Sequence, residues 1–459
     1  MKLNEYFAAF KGKRVAVLGI GVSNRPLIDL LVKAGADITV CDRKERDAIA
    51  AVADQLEALG CKLHLGEEYL KGLDHDVIFR SPGIMPATRE IAHAVLAEGS
   101  VLTSEMEAFF DVCPCPIIAV TGSDGKTTTS SIIAEMLRAA GKTVHLGGNI
   151  GRPLLAESVN MCAEDIVVLE LSSFQLISME VSPHIAVMTN LAPNHLDVHK
   201  DYSEYVLAKR NIVMHQTPQD IAVFNADNSE TRRISEYVAG ERRLFSRKEE
   251  LEEGIFLRGD AIISRSGGEE REVLKTSDIR LPGVHNIENY MAAIAAVEGL
   301  VSDDAIRKVA REFNGVEHRI EWIRTLRGVR YYNDSIATSP DRTIAGLNSF
   351  REKVILIAGG KNKGIPYDSV GPVINEHVKL LLLCGDTADV IRQAVEQAEN
   401  YDGLPILDVA DYHEALAVIQ QEAKEGDVVL LSPASTAFDR YTNFMERGKV
   451  FKEIVNSLT

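Results

Sequence analysis

Long apolar runs are missing from this chain of 459 residues: none reaches the roughly 18–20 residues that a bilayer-spanning helix needs. No membrane segment is expected. The opening Met1-Lys2-Leu3-Asn4-Glu5 brings an acid early and no apolar h-region follows, so a secretory signal is not expected either. Cysteine is sparse. Cys41, Cys61, Cys113, Cys115, Cys162 and Cys384 are scattered and outline no disulfide framework. Cys113-Pro114-Cys115 is the one close pair, and without a second pair nearby it reads as two inert thiols rather than half of a metal site. Together these features predict a cytoplasmic protein. Positive charge is also short: 50 Lys and Arg face 67 Asp and Glu, a formal net charge of −17. A nucleic-acid surface needs a basic stripe, so that class of partner is argued against. A small anionic substrate is not, because a few convergent Lys and Arg can dominate one cleft.

What is present fits a soluble globular chain, and at roughly 150 residues per domain its length suggests three domains. Arg14–Gly19 is an apolar run ending in glycine, followed by a helical pattern through Leu27, Leu30, Leu31 and Ala34 and then Gly35. A second strand, Ile38–Cys41, ends at Asp42. Strand, glycine turn, helix, strand and acid make the start of a Rossmann-like unit. A further strand, Val77–Phe79, leads into Ser81-Pro82-Gly83. A second register opens with the β-branched run Ile117-Ile118-Ala119-Val120, and strands recur at Ile166–Leu169, Ile185–Met188 and Ile221–Phe224. The charged, Gly-bearing stretch from Glu241 to Leu281 reads as a small β-rich insertion, and a helix through Asn289–Val297 closes this part. The third part begins near Asn314, with strands at Arg330–Asn333, Val354–Ala358, Leu380–Cys384 and Val428–Leu431.

The expected fold is α/β in three domains. Residues 1–105 form a Rossmann-like domain, 106–313 a central P-loop NTPase-like domain with a parallel sheet and the small β insertion, and 314–459 a second Rossmann-like domain. Parallel sheets of this kind place ligand sites at the C-terminal ends of their strands.

The clearest chemical signal is Thr121-Gly122-Ser123-Asp124-Gly125-Lys126-Thr127, between a predicted strand and a predicted helix. Such a loop offers unpaired backbone N–H groups at the positive end of the helix dipole, and its glycines let the backbone approach phosphate oxygens. Lys126 then reaches the phosphates, and the Thr127 hydroxyl is placed for Mg²⁺. Val120 stands where the longer P-loop pattern has its first glycine, so the match is Gly-x-x-Gly-Lys-Thr. The bland alternative is a glycine turn with a surface lysine. Glu170, after the strand Ile166–Leu169, can either hold Mg²⁺ or cap a helix. His195, in the polar segment Thr189–Asp197, is a ligand candidate that could equally be structural.

Read on from that loop, Glu170-Leu-Ser-Ser-Phe-Gln175, Asn194-His195-Leu196-Asp197, His285-Asn286, His318-Arg319 and Asn333-Asp334-Ser335 follow one another in the order found in the Mur ligases. The chain resembles that family nearly end to end. Ala337-Thr338 and Ser432-Pro-Ala-Ser435 leading to Phe444-x-Glu-Arg-Gly448 resemble its D-glutamate-adding members.

The resemblance implies an ATP site built from Gly122, Ser123, Asp124, Gly125, Lys126, Thr127 and Thr128, with Asn286, Arg319 and Asp334 at the adenine, phosphates and ribose. It implies two Mg²⁺ ions, one on Thr127 and Glu170, the second on His195. Lys209 matches a lysine that is carbamylated in these enzymes and joins the metal site; on pattern alone it is a solvated helix residue. His318, next to Arg319 and in the group with Asn286 and Asp334, would help the chemistry, and Lys126, Lys209 and His195 are the other catalytic candidates. Gly19-x-Gly21-x-x-Asn24 lacks the third glycine of a dinucleotide fingerprint. By resemblance Val22-Ser23, Asp42-Arg43 and Ser81-Pro82-Gly83 hold a uridine nucleotide instead, with Asn149 on the sugar-peptide part. Thr338, Lys363, Phe438 and Phe444 would contact D-glutamate, and a cationic Lys363 suits a γ-carboxylate. Ile336 stands where many relatives have Lys, and Ala437 where a serine contacts glutamate; Thr436 or backbone N–H groups are candidates to replace that contact.

The implied reaction joins D-glutamate to UDP-N-acetylmuramoyl-L-alanine through an acyl phosphate, with domain closure assembling the site. A monomer is expected. The rivals are a sibling ligase adding another amino acid, a folylpolyglutamate synthetase, and a nucleotide-sensing protein without turnover. A folate enzyme has no need of residues 1–105, and a pure sensor has less reason to keep Lys126, Thr127, Glu170 and His195 together.

Overall fold

Each of the three α/β parts is built round its own sheet. The structure is a computed structural model and describes residues 2–21 and 23–459; Val22, expected at the uridine nucleotide, lies outside the described residues. The first sheet is wholly parallel, in spatial order Lys62–Leu65, Asp37–Asp42, Arg14–Leu18, Val77–Arg80, Val101–Thr103. Its central strands are apolar runs with no exposed face, as a sheet covered by helices on both sides requires.

The second sheet has nine strands, in the order Glu269–Lys275, Ala261–Ser266, Gly254–Arg258, Glu241–Ser246, Ile221–Asn225, Ile185–Met188, Ile117–Thr121, Ile166–Glu170, Val144–Gly148. The β-rich stretch expected from Glu241 onwards does not stand apart. Glu241–Ser246 pairs parallel with Ile221–Asn225, and an antiparallel meander then carries the same sheet outwards.

The third sheet runs Glu321–Leu326, Val329–Asn333, Val428–Leu431, Val354–Ala358, Val378–Leu383, Ile406–Asp408, parallel except for its first pair. Leu356, Leu381 and Leu430 face one apolar cluster, and Ile355, Leu382 and Val429 face another with Phe451. That is the period-two alternation of a strand buried on both faces.

The chain divides into two compact units: everything up to Thr276 with Glu288–Val309, and Ser277–Ile287 with Ala310–Thr459. In the first unit one apolar core runs without a break from Phe7, Phe10 and Phe79, through Phe109 of the helix Glu105–Val112, to Leu155, Ala119 and Leu169 of the central part. Among the described residues no helix is long and apolar enough to cross a membrane.

Candidate active site

In the first unit, the phosphate loop leaves the buried strand Ile117–Thr121 and enters the helix Lys126–Ala139. Gly122 and Gly125 have φ of 150° and 80°, and a Cβ on them would run into Thr189 Oγ1 and Asn289 Oδ1 respectively. Both positions therefore require glycine. The loop is braced from the segment after Ile185–Met188. Thr189 Oγ1 and Asn190 Nδ2 donate to the Asp124 carbonyl at 2.6 and 3.1 Å, and Asp124 N–H donates to Asn190 Oδ1 at 3.0 Å. Ser123 Oγ bonds Ala192 and, at 2.9 Å, the Tyr205 hydroxyl. Thr128 sits half-buried in the first helical turn. Fixing the backbone in this way aims the helix N-terminus at one place, which suits an anion.

Thr127 Oγ1 donates to Glu170 Oε2 at 2.6 Å, and Asn149 Nδ2 donates to Glu170 Oε1 at 2.8 Å. The helix-cap role belongs to Ser172, whose hydroxyl accepts from Gln175 N–H. Glu170 is thus left to the site. Asn149, expected on the sugar-peptide part, joins the same carboxylate. Lys126 Nζ donates to the Gly122 and Ser123 carbonyls at 2.9 and 2.8 Å.

Lys209 departs from the pattern-based reading: it is 2% exposed, not solvated. Its Nζ donates to Gly122 O at 2.8 Å and Thr121 Oγ1 at 3.3 Å, and lies 4.9 Å from the Tyr205 ring centre. Burial holds it well below the ordinary lysine value, helped by the charge of Lys126 and opposed by Glu170 and Asp124. The signal was present in the helix Tyr202–Met214. Lys209 stands three and four residues from Val206, Tyr205, Ile212 and Val213, all buried, so it lies on the apolar stripe. His195 is exposed, has φ of 53°, and packs edge-on to Phe174 at 5.2 Å. Partial burial lowers its pKa against the pull of Asp197, with Lys126 and Lys209 adding to the lowering, so a lone pair is kept for a ligand.

The first-domain residues cluster at their own strand ends. Asp42 Oδ2 accepts from Ile20 N–H at 2.8 Å and Oδ1 from Lys44 N–H at 2.9 Å. Asn24 Nδ2 donates to the Leu18 and Gly19 carbonyls at 3.1 and 2.9 Å, which fixes the glycine turn by side chain. Ser23 precedes the helix Asn24–Ala34, while Arg43 and Gly83 are exposed.

In the second unit, Asp334 is buried, accepting from Ser432 Oγ at 2.8 Å and Ile320 N–H at 3.3 Å. Burial pushes its carboxyl up to about 7, against those hydrogen bonds and the charges of Arg319 and Arg342. Asn286 Nδ2 donates to the Pro282 carbonyl at 2.6 Å. His318, with φ of 66°, accepts at Nδ1 from Asn333 Nδ2 at 3.0 Å, which leaves its proton on Nε2. Phe444 lies edge-on to it at 6.1 Å. Arg447, not singled out by sequence, is buried and donates to Ser335 Oγ, Ser335 O and Ser435 O at 3.0, 2.8 and 3.0 Å, tying two strand ends together. Thr338 is half-buried, whereas Lys363 and Phe438 stand exposed on separate loops. The Thr436 hydroxyl beside Ala437 donates to the Lys361 carbonyl at 3.1 Å, so its proton is already engaged.

Comparison with known proteins identifies the three parts. Residues 13–103 match the Mur ligase MurD-like, N-terminal domain, residues 120–297 the Mur ligase middle domain, and residues 318–435 the Mur ligase, glutamate ligase domain. The chain is 52% identical to UDP-N-acetylmuramoylalanine–D-glutamate ligase of Acetivibrio thermocellus, covering 100% of this chain and 99% of that one. Its identity to the enzyme of the same name from Ruminiclostridium cellulolyticum is 48%, with the same coverage. The solved structure of UDP-N-acetylmuramate-alanine ligase from Thermotoga maritima, 18% identical, covers 97% of this chain and 99% of its own with a TM-score of 0.57. That likeness concerns the fold alone. With three matching domains in chain order and close relatives aligned end to end, the chain belongs to the Mur ligase family.

Proposed function

We propose that this chain joins D-glutamate to UDP-N-acetylmuramoyl-L-alanine with the cleavage of ATP, as a step of peptidoglycan precursor synthesis. The observation that carries the chemistry is the Thr127–Glu170–Asn149 chain at the N-terminus of the helix that Lys126 opens. The identity of the substrates is supported by the end-to-end similarity to D-glutamate ligases. The reaction begins with the alanyl carboxylate oxygen attacking the γ-phosphorus of ATP, and ADP leaves. The D-glutamate amine then adds to the acyl carbon, a proton is lost, and the tetrahedral intermediate expels phosphate. Backbone N–H groups of the loop and Lys126 stabilise the transferring phosphoryl group, since positioning and electrostatics dominate such transfers. His318, a neutral imidazole with its proton on Nε2, is suited to donating a hydrogen bond to a substrate oxygen.

The donor set fits Mg²⁺. Thr127 and Glu170 present hard oxygens within hydrogen-bond distance of each other, and phosphate and water complete such a shell. A second ion would take His195 and a carbamylated Lys209. Bound there, the ions neutralise phosphate charge. The domain limits 1–105, 106–313 and 314–459, a monomeric state and a cytoplasmic setting, where ATP and nucleotide sugars are made, complete the proposal. The uridine nucleotide is assigned to Ser23, Asp42, Arg43 and Gly83, and D-glutamate to Thr338, Lys363, Phe438 and Phe444.

The decisive experiment is phosphate release with UDP-N-acetylmuramoyl-L-alanine and a panel of amino acids. Turnover with D-glutamate alone is expected, and turnover with a different amino acid instead would move the chain elsewhere in the family. Asp334 supplies a second test. Its folded value of about 7 makes it a carboxylate only above neutrality, so hydrogen bonds accepted from ribose hydroxyls strengthen as pH rises through about 7. The KM for ATP is expected to fall roughly tenfold between about pH 6 and about pH 8, worth ~1.4 kcal/mol. Asp334→Asn should flatten that limb, and a wild-type KM indifferent to pH would remove Asp334 from the ribose. The same raised value means the folded chain holds a proton that the unfolded chain has released. Its contribution to stability therefore falls as pH climbs from the ordinary carboxylate range to about 7.

A further inference from the structure

Arg80 ends the strand Val77–Arg80 and is 1% exposed. A buried guanidinium is costly unless its donors find acceptors. Here the two Nη groups find them on two domains, while Nε has none. Nη1 donates to the carbonyls of Ser81, Pro82 and Ile84 at 3.2, 3.3 and 2.8 Å. Nη2 donates to the Phe174 carbonyl at 2.8 Å and to Ser178 Oγ at 2.9 Å. The first three acceptors lie in the turn 81–84 of the first domain, which contains Ser81-Pro82-Gly83. The other two belong to the helix Ser173–Leu176 and the turn after it, which follow Glu170 by three residues in the central domain. Burial draws the guanidinium down to about 10, with Glu107 of the helix Glu105–Val112 opposing, so the charge persists at neutral pH.

Both ends of this strut carry site geometry. On the first-domain side, the turn fixes Ser81 against the glycine loop: a Cβ on Gly19, whose φ is 89°, would lie 3.0 Å from Ser81 Cβ and Oγ. On the central side, the backbone that Arg80 holds carries the Phe174 ring. That ring stacks on His199 at 5.1 Å and 4° and meets His195 edge-on at 5.2 Å. His199 is held in turn by Ser173 Oγ at 2.9 Å and Glu204 Oε2 at 3.1 Å.

We propose that Arg80 is a positioning residue: it sets the spacing between the uridine-nucleotide turn and the phosphate loop, so that a substrate anchored at Ser81-Pro82-Gly83 presents its carboxylate to Lys126 and Glu170. The inference rests on the assignment of that turn to the nucleotide. Because anchor and reacting group are parts of one molecule, a small change in spacing misplaces the carboxylate, and a shift of about 1 Å can cost about 100-fold in rate.

The test uses Arg80→Lys, which keeps the charge but lacks the planar fork needed to reach both sets of acceptors, and Ser178→Ala, which removes one acceptor on the central side only. For Arg80→Lys, kcat/KM for UDP-N-acetylmuramoyl-L-alanine is expected to fall about 30–100-fold, with KM for ATP and for D-glutamate changed less than about twofold. Ser178→Ala should show the same selective loss at about 3–10-fold while its affinity for UDP, measured by calorimetry, stays at the wild-type value. Equal losses for all three substrates, losses that track a fall in melting temperature, or unchanged kinetics in Arg80→Lys would each overturn the proposal. UDP competition provides the separate check on the underlying assignment. If UDP fails to compete with substrate in the wild-type enzyme, or competes as well in Asp42→Ala, the nucleotide assignment falls and Arg80 falls with it. Normal competition with wild-type kinetics in Arg80→Lys sinks the positioning role alone.

Discussion

Lys126→Ala is expected to lower D-glutamate-dependent phosphate release by about 10³-fold, on the order of 4 kcal/mol of transition-state stabilisation. The loop would survive the change. Its shape is set by the positive-φ glycines and by Thr189, Asn190 and Ser123, none of which depends on Lys126. What disappears is the ammonium, now anchored by the Gly122 and Ser123 carbonyls at the mouth of the helix. Losing two hydrogen bonds from a half-buried group costs about 1 kcal/mol each at most, so the variant should stay folded. The charge cannot be taken over by its neighbour, because burial and Lys126 itself hold Lys209 well below the ordinary lysine value. Partial relief of Lys209 follows from removing Lys126, but an amine buried against Tyr205 and the Gly122 carbonyl cannot swing out to a phosphate. Purified Lys126→Ala that still ligates at near wild-type rate would show that the loop amides suffice without it.

How far these features were legible in the sequence follows from where they lie. The strands read correctly, such as Ile117–Thr121, Ile166–Glu170 and Val354–Ala358, are central ones whose every residue is buried, and burial on both faces demands an unbroken apolar run. The strands that escaped notice are Lys62–Leu65, Val101–Thr103, Val144–Gly148, Glu321–Leu326 and Ile406–Asp408. Each is a sheet edge with part of its surface in water, where no such run is needed. The phosphate loop was legible because its function acts through glycine and backbone, which leave a local pattern. Glu170 was legible only as an acid after a strand. Its pairing with Thr127 and Asn149 joins residues far apart in the chain. Arg80 and Arg447 illustrate the limit. Each is a cation buried by acceptors that are mostly backbone carbonyls, and a carbonyl leaves no trace in residue identity.

Lys209→Ala and Lys209→Met are both expected to lose about 10²–10³-fold in ligation, and acetate or formate at millimolar concentration should restore at least about tenfold in the alanine variant but not in the methionine one. To be carbamylated, a lysine must offer a lone pair: the nitrogen adds to the carbon of CO₂ and a proton leaves to solvent, giving N–CO₂⁻. An exposed lysine is almost wholly protonated at neutral pH and reacts poorly. Lys209 is not in that position, because burial together with the charge of Lys126 favours its neutral form. The product is an anion, and its surroundings suit one: Lys126 supplies positive charge, and a bound cation would complete the pairing. Alanine leaves a cavity that a small carboxylate can enter, placing its oxygens where the carbamate oxygens would lie. Methionine fills the same space and shuts it out. The wild-type enzyme offers a test free of mutation. Exposure to about pH 5.5 without bicarbonate protonates the amine and releases CO₂, so activity should fall and return when bicarbonate is added at neutral pH. If Lys209→Met keeps wild-type activity, or the acid-treated enzyme is indifferent to bicarbonate, then Lys209 serves as an unmodified amine whose task is to hold the Gly122 carbonyl and the Thr121 hydroxyl.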